Sequence, residues 1–113
     1  MTTIDVAGVV LEVAEKKTVR MRAGKYNALD INKVRRYVTL IDDSNCSITL
    51  TLWDKLCDRS SHLRKGDVLV VKGVRVSGFG GKSLNAAEDH AVLFINLNHE
   101  KCRALKLWYS NLV

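Results

Sequence analysis

The sequence predicts an all-β fold with a short helix and a C-terminal helix, its five strands closed into a small barrel. Three observations lead there. Stretches rich in β-branched residues recur along the chain, separated by turn clusters. One segment between the third and fourth stretches loses the alternation that a strand would show. The last segment of the chain changes to the spacing of a helix.

Ile4 to Val13 is apolar and β-branched, interrupted by Gly8, and reads as a strand with a bulge or bend at the glycine. Glu15 to Asn32 is polar and basic, with Thr18 to Met21 as a short strand inside it. Val34 to Asp42 forms the second main strand, and Asp42-Asp43-Ser44-Asn45 the turn after it. Ser47 to Trp53 is the third strand, and Asp54 to Leu63 is expected to hold a short helix. Lys65-Gly66-Asp67 turns the chain into a long fourth strand, Val68 to Phe79. Gly80-Gly81 turns it again, and Lys82 to Ile95 carries the fifth. From Asn98 to Leu112, Cys102, Leu105, Tyr109 and Leu112 recur near helical spacing, with Trp108 beside them. This helix either caps the barrel end or offers a surface to a partner. Together the elements have the form of an OB-fold, a five-stranded Greek-key barrel whose second and third strands and two loops bind oligonucleotides.

The 113 residues fit one domain spanning 1–113, with no visible linker, no proline and no repeat. Hydrophobic content of 47% and charged content of 27% suit a folded domain rather than a disordered one. Lys and Arg number 18 against 12 Asp and Glu, a net charge of +6 that favours polyanionic partners. Cys46, Cys57 and Cys102 are too scattered for a disulfide framework or a zinc site, and are read as reduced thiols in an intracellular protein. His62, His90 and His99 are equally dispersed, so no metal or other cofactor is expected. No apolar run approaches bilayer length, and no membrane partner is expected. Neither a nucleophile elbow nor a phosphate-binding loop is present, so the chain does not read as an enzyme. Asp42 and Asp43 make a carboxylate pair, but a hairpin turn explains them.

Alternate residues of a strand share a face. In the third strand Ile48, Leu50 and Leu52 make one face, expected in the core; Ser47, Thr49, Thr51 and Trp53 make the other. A tryptophan ending a row of hydroxyls either covers the barrel end or lies on a groove floor to stack a base. In the second strand Val38 and Leu40 point inward, while Arg35, Tyr37, Thr39 and Ile41 point out. Arg36 has inward parity but lies at the strand's beginning, within reach of solvent. In the fourth strand Val74 and Val76 oppose Arg75, Ser77 and Phe79, with Gly80, Gly81 and Lys82 next. An aromatic on the polar side of a strand, beside an arginine, suits a stacking platform next to a phosphate contact. Lys16, Lys17, Arg20, Arg22, Lys25, Lys33, Arg35 and Arg36, with Tyr26 among them, would make one basic jaw of a groove; the turn at Phe79 to Lys82 would make the other. Asn85, just past that turn, joins the candidate contacts.

The segments VTLIDDSNCSITLTLWDKLCD and KGVRVSGFGGKSL resemble the second of the two central DNA-binding domains of the replication protein A large subunit. The resemblance runs from Ile4-Asp5-Val6 to Leu105-Lys106-Leu107-Trp108-Tyr109. It implies an OB-fold that binds single-stranded DNA without strict sequence preference. It implies stacking of bases on Trp53 and Phe79, and contacts to phosphate and base edges from Arg75 and Ser77; Thr51 matches the family's threonine two positions before the tryptophan. Arg35 and Arg36 match the family's basic residues entering the second strand; the rest of the first loop departs from the family. The resemblance further implies a multi-OB protein, neighbouring OB domains and other subunits as partners, and nuclear location. Its roles would lie in DNA replication, repair, recombination or telomere maintenance. Two other readings stay open: a protein-interaction OB domain that no longer binds DNA, and an RNA-binding one.

Overall fold

The structure, a computed structural model, describes residues 2–22, 30–78 and 83–112. In chain order the described elements are β1 (Thr2–Val13), β2 (Lys17–Arg22), β3 (Asp30–Ile41), β4 (Ser47–Trp53), α1 (Lys55–Arg59), β5 (Val68–Ser77), β6 (Ser83–Ala86), β7 (Val92–Ile95) and α2 (Glu100–Leu112). Five of these strands close a ring. β1 pairs with β3, β3 with β4, β4 with β6, β6 with β5, and β5 returns to β1. Every junction is antiparallel except β4 with β6. The expected five-stranded barrel is therefore present, with β2 extending the β3 hairpin and β7 added to the β5 edge.

The predicted fifth strand is two strands. β5 has one edge on β1; its other edge is shared, β7 taking Leu69 to Lys72 and β6 taking Arg75 to Ser77. The chain from Ala87 to His90 crosses from one to the other as a turn, with the amides of His90 and Ala91 donating to the Ala87 carbonyl at 3.1 and 2.9 Å. Nothing in Ala87-Glu88-Asp89-His90 announces a turn, because it contains neither Gly nor Pro.

The bulge expected at Gly8 is elsewhere. Gly8 pairs with Leu69 in unbroken register. Glycine suits this position because a β-carbon would sit 3.0 Å from both the Ile41 carbonyl oxygen and the Leu40 β-carbon, and the paired strand would have to give by a few tenths of an ångström. The extra residues are Leu11, where β1 slips against β3, and one residue of the Lys72-Gly73 pair, which faces Asp5 across the β1–β5 ladder. The Asp5 carboxylate accepts the Gly73 amide at 3.2 Å, and Gly73 has φ of 83°, which glycine adopts without penalty. The bulge flips the parity of β5. Leu69 and Val71 enter the core before it, and Val74 enters after it.

Val6, Val10, Val38, Leu40, Leu50 and Leu52 meet these residues inside the barrel, and α1 adds Leu56 and Cys57. Fully burying one such leucine stabilises the fold by about 1.5–3 kcal/mol. Ile48, expected in the core, is 37% exposed because it lies at the hairpin end of β4. α2 covers the outer wall. Cys102, Leu105, Trp108 and Tyr109 pack over Val9, Val68, Val70 and Ile41, while Leu112 faces solvent. At the β3–β4 turn the Asp42 carboxylate accepts the Ser44 hydroxyl and the Ser44 amide. Those bonds, the side-chain one foremost, hold its carboxyl below the ordinary carboxylate range, so the Asp42 carboxylate serves the turn.

Candidate nucleic-acid interface

The outward residues of four adjacent strands make one polar face. Tyr37 on β3 registers with Thr51 on β4, Thr51 with Asn85 on β6, and Asn85 with Arg75 on β5. These four residues form a row across the barrel, with successive strands about 4.8 Å apart. One register step to one side of this row Arg35 stands opposite Trp53, and one step to the other side Ser77 stands opposite Ser83.

Two hollows lie on this face and meet at Trp53 and Asn85. The first is lined by Lys33, Trp53, Arg75, Ser77, Asn85, Ala87 and His90. The second is lined by Arg35, Tyr37, Thr49, Thr51, Trp53, Ser83, Leu84 and Asn85. Trp53 is half-buried. Its Nε1 donates to Asn85 Oδ1 at 3.0 Å, and Asn85 Nδ2 donates to Ser77 Oγ at 3.0 Å. This chain of bonds fixes the indole on the groove floor and uses its one polar atom. The Lys33 ammonium reaches to 6.0 Å from the ring centre, at the outer limit of a cation–π contact.

The charges are distributed unevenly. Away from the face, Lys16 pairs with Asp58, and Lys55 and Arg59 pair with Glu88. On the face, Lys33, Arg35 and Arg75 have no ion pair among the described residues. Cations left unneutralised in a groove suit an anionic guest. Glu88 and Asp89, beside Lys33 in a separate mixed-charge hollow, bound the basic track on that side because carboxylates repel phosphates.

Of the candidate residues, the face gathers Lys33, Arg35, Thr51, Trp53, Arg75, Ser77 and Asn85. Phe79 and Lys82 lie outside the described residues, as do Lys25 and Tyr26 of the basic jaw. Arg36 belongs elsewhere. It pairs with Leu52 on the inward side, and its Nη1 donates to the carbonyls of Cys57 and Ser60 at 3.5 and 3.2 Å and to Ser60 Oγ at 3.3 Å. A guanidinium at the last carbonyls of α1 satisfies acceptors that a helix end leaves open. Arg36→Gln is therefore expected to destabilise the fold by about 1.5–3 kcal/mol, as for hydrogen bonds made by a charged group. A thermal melt would read this loss, while oligonucleotide affinity below the melting range would stay unchanged.

Tyr37, Thr49 and His90 also line the hollows, although the sequence does not single them out as site residues. For the first two the outward parity of their strands is the available signal. For His90 there is none, since nothing in the sequence marks the β6–β7 turn that carries it to the groove. His90 Nδ1 lies 2.8 Å from the Gly73 carbonyl oxygen, as donor to it.

Comparison with known proteins follows the same line. The family model for the replication protein A OB domain matches residues 1–95. Replication factor A protein 1 of Saccharomyces cerevisiae is 36% identical over 110 residues, covering 97% of this chain and 16% of the yeast protein. The replication protein A 70 kDa DNA-binding subunit of Drosophila melanogaster is 33% identical over 112 residues, covering 96% of this chain and 17% of that subunit. A solved structure of a replication protein A heterotrimer bound to single-stranded DNA superposes with a TM-score of 0.73 at 31% identity, over 97% of this chain and 25% of that one. The chain thus spans a small fraction of the length of the relatives it matches.

Proposed function

The chain belongs to the replication protein A OB-domain family, and from that premise we propose that it binds single-stranded DNA without strict sequence preference. It acts as one module of a multi-OB protein in DNA replication, repair, recombination or telomere maintenance. It is a binding module rather than an enzyme, and it works in the nucleus.

The observation that carries this reading is the indole of Trp53, bonded through Asn85 to Ser77 on a face whose cations have no acidic partner among the described residues. A flat ring held in place among unneutralised cations matches the two halves of a nucleotide, the base and the phosphate. The Drosophila relative is a DNA-binding subunit, and the solved neighbour is bound to single-stranded DNA. Phe79 and Lys82 complete the opposite jaw in this reading. The module engages on the order of 4 nucleotides, near the lower end for one OB domain. Such a footprint binds weakly alone and gains affinity through tethering to neighbouring OB domains and partner subunits, which makes the next contact intramolecular.

Arg75→Ala tests the reading. In fluorescence titrations with oligo-dT at several salt concentrations, affinity falls, and the slope of log K against log salt shrinks by about 0.7, the value for one lost phosphate contact on a single strand. An unchanged slope would remove Arg75 from the phosphate track. Competition with an RNA oligomer of matched sequence separates DNA from RNA preference, since stacking alone tolerates either sugar.

A further inference from the structure

We propose that Tyr37 is a second stacking platform beside Trp53, and that Arg35 is the phosphate contact that serves it. This rests on the single-strand reading above and adds a subsite to it.

Tyr37 stands in the middle of a strand paired on both sides, hydrogen-bonded through its carbonyl to Ala14 and registered with Thr51 on β4. The residue is nevertheless 40% exposed and lines the second hollow. The Arg35 guanidinium carbon lies 5.0 Å from the ring centre. Among the described residues that ring is its sole partner, and its buried Nε has no hydrogen-bond acceptor. A guanidinium is a strong donor with a fixed fork suited to phosphate. Leaving it with only a ring to rest on keeps it ready for an anion.

The arrangement repeats the one at Trp53, where the cation is Lys33. Two adjacent strands thus each present an aromatic ring, and β3 sets beside each a cation with no acidic partner among the described residues. The spacing suits consecutive nucleotides. Trp53 registers with Arg35 and Tyr37 with Thr51, so the two aromatics are diagonal neighbours, about 7–8 Å apart by sheet geometry. That is roughly twice the 3.4 Å rise per nucleotide of a stacked strand. A strand crossing the face would separate a pair of neighbouring bases and lay one on each ring. A base arriving on Tyr37 displaces the guanidinium onto the adjoining phosphate. The hydroxyls of Thr49, Thr51 and Ser83 line the same hollow and can meet base edges.

Oligo-dT titrations of four variants test this: Tyr37→Ala, Tyr37→Phe, Tyr37→Leu and Trp53→Ala. Tyr37→Ala is expected to weaken binding roughly 5- to 150-fold, as for the loss of one stacked base, with the salt slope unchanged. Tyr37→Leu should lose nearly as much, since it keeps apolar bulk without a π-face. Tyr37→Phe should stay close to the wild type. Full affinity in Tyr37→Ala or Tyr37→Leu, with weakened binding in Trp53→Ala, would overturn the second platform and leave the single-strand reading intact. Equal losses in Tyr37→Phe and Tyr37→Ala would assign the effect to the hydroxyl and overturn stacking. Wild-type affinity in both Trp53→Ala and Tyr37→Ala would overturn both readings together.

Discussion

Trp53→Ala weakens binding to oligo-dT by roughly 5- to 150-fold, the equivalent of about 1–3 kcal/mol for one stacked base. The slope of log K against log salt does not change, because the ring carries no charge and releases no counterion. The fold should hold. Trp53 is half-buried at the end of β4 and outside the two core clusters, so truncation opens no sealed cavity. The variant leaves Asn85 Oδ1 without its indole donor, but beside an open groove water can replace it. Titrations at three or more salt concentrations, paired with a thermal melt, separate a stacking loss from an unfolding one. A loss that vanished at high salt would point to an electrostatic role and contradict the assignment.

The largest effect on stability is expected at Gly73. A β-carbon there would lie 2.0 Å from the His90 carbonyl oxygen, closer than any real contact, and the obstructing atom is backbone. The residue also holds φ of 83°, which by itself costs about 1–2 kcal/mol for an L side chain. Gly73→Ala must displace the Ala87–His90 turn and disturb the His90 contact at the Gly73 carbonyl. The expected loss is at least about 3 kcal/mol, large for a single substitution. Gly66→Ala supplies the control. Gly66 has a similar φ of 94°, but the nearest atom to its β-carbon is Tyr109 Cε2 at 3.7 Å. It should lose only the backbone share, about 1–2 kcal/mol. Denaturant unfolding of both variants reads the difference, and equal losses would remove the collision from the explanation.

These residues also mark where the sequence is legible. In β4 the alternation of Leu50 and Leu52 with Thr51 and Trp53 assigns both faces correctly, because a short, regularly paired strand keeps period two throughout. In β5 the same alternation carries Arg75 and Ser77 to the groove, yet it fails before Gly73, where Leu69 and Val71 rather than Val68 and Val70 enter the main core. A single inserted residue reverses parity, and the sequence signals it only as one glycine in an otherwise uniform run. Arg36 has inward parity, and its place at the strand start suggests reach to the groove. Its destination is instead set by α1, whose open carbonyls are brought beneath β3 by tertiary packing. The fifth strand divides because β5 offers one edge to two partners, a property of ring closure rather than of local composition. The hydrogen-bond chain from Trp53 through Asn85 to Ser77 joins residues on three strands, so it depends on pairing register, which the sequence does not display.

The most direct test of the account uses the emission of Trp53 alone. Trp108, the other tryptophan, packs in the cluster between α2 and the barrel wall, so Trp108→Phe keeps an aromatic ring in that cluster and leaves Trp53 as the single tryptophan emitter. Titrating this variant with oligo-dT should quench its emission in a saturable curve that matches the binding isotherm measured on a labelled oligomer. Binding on the labelled oligomer with no change in Trp53 emission would contradict the placement of a base on that ring.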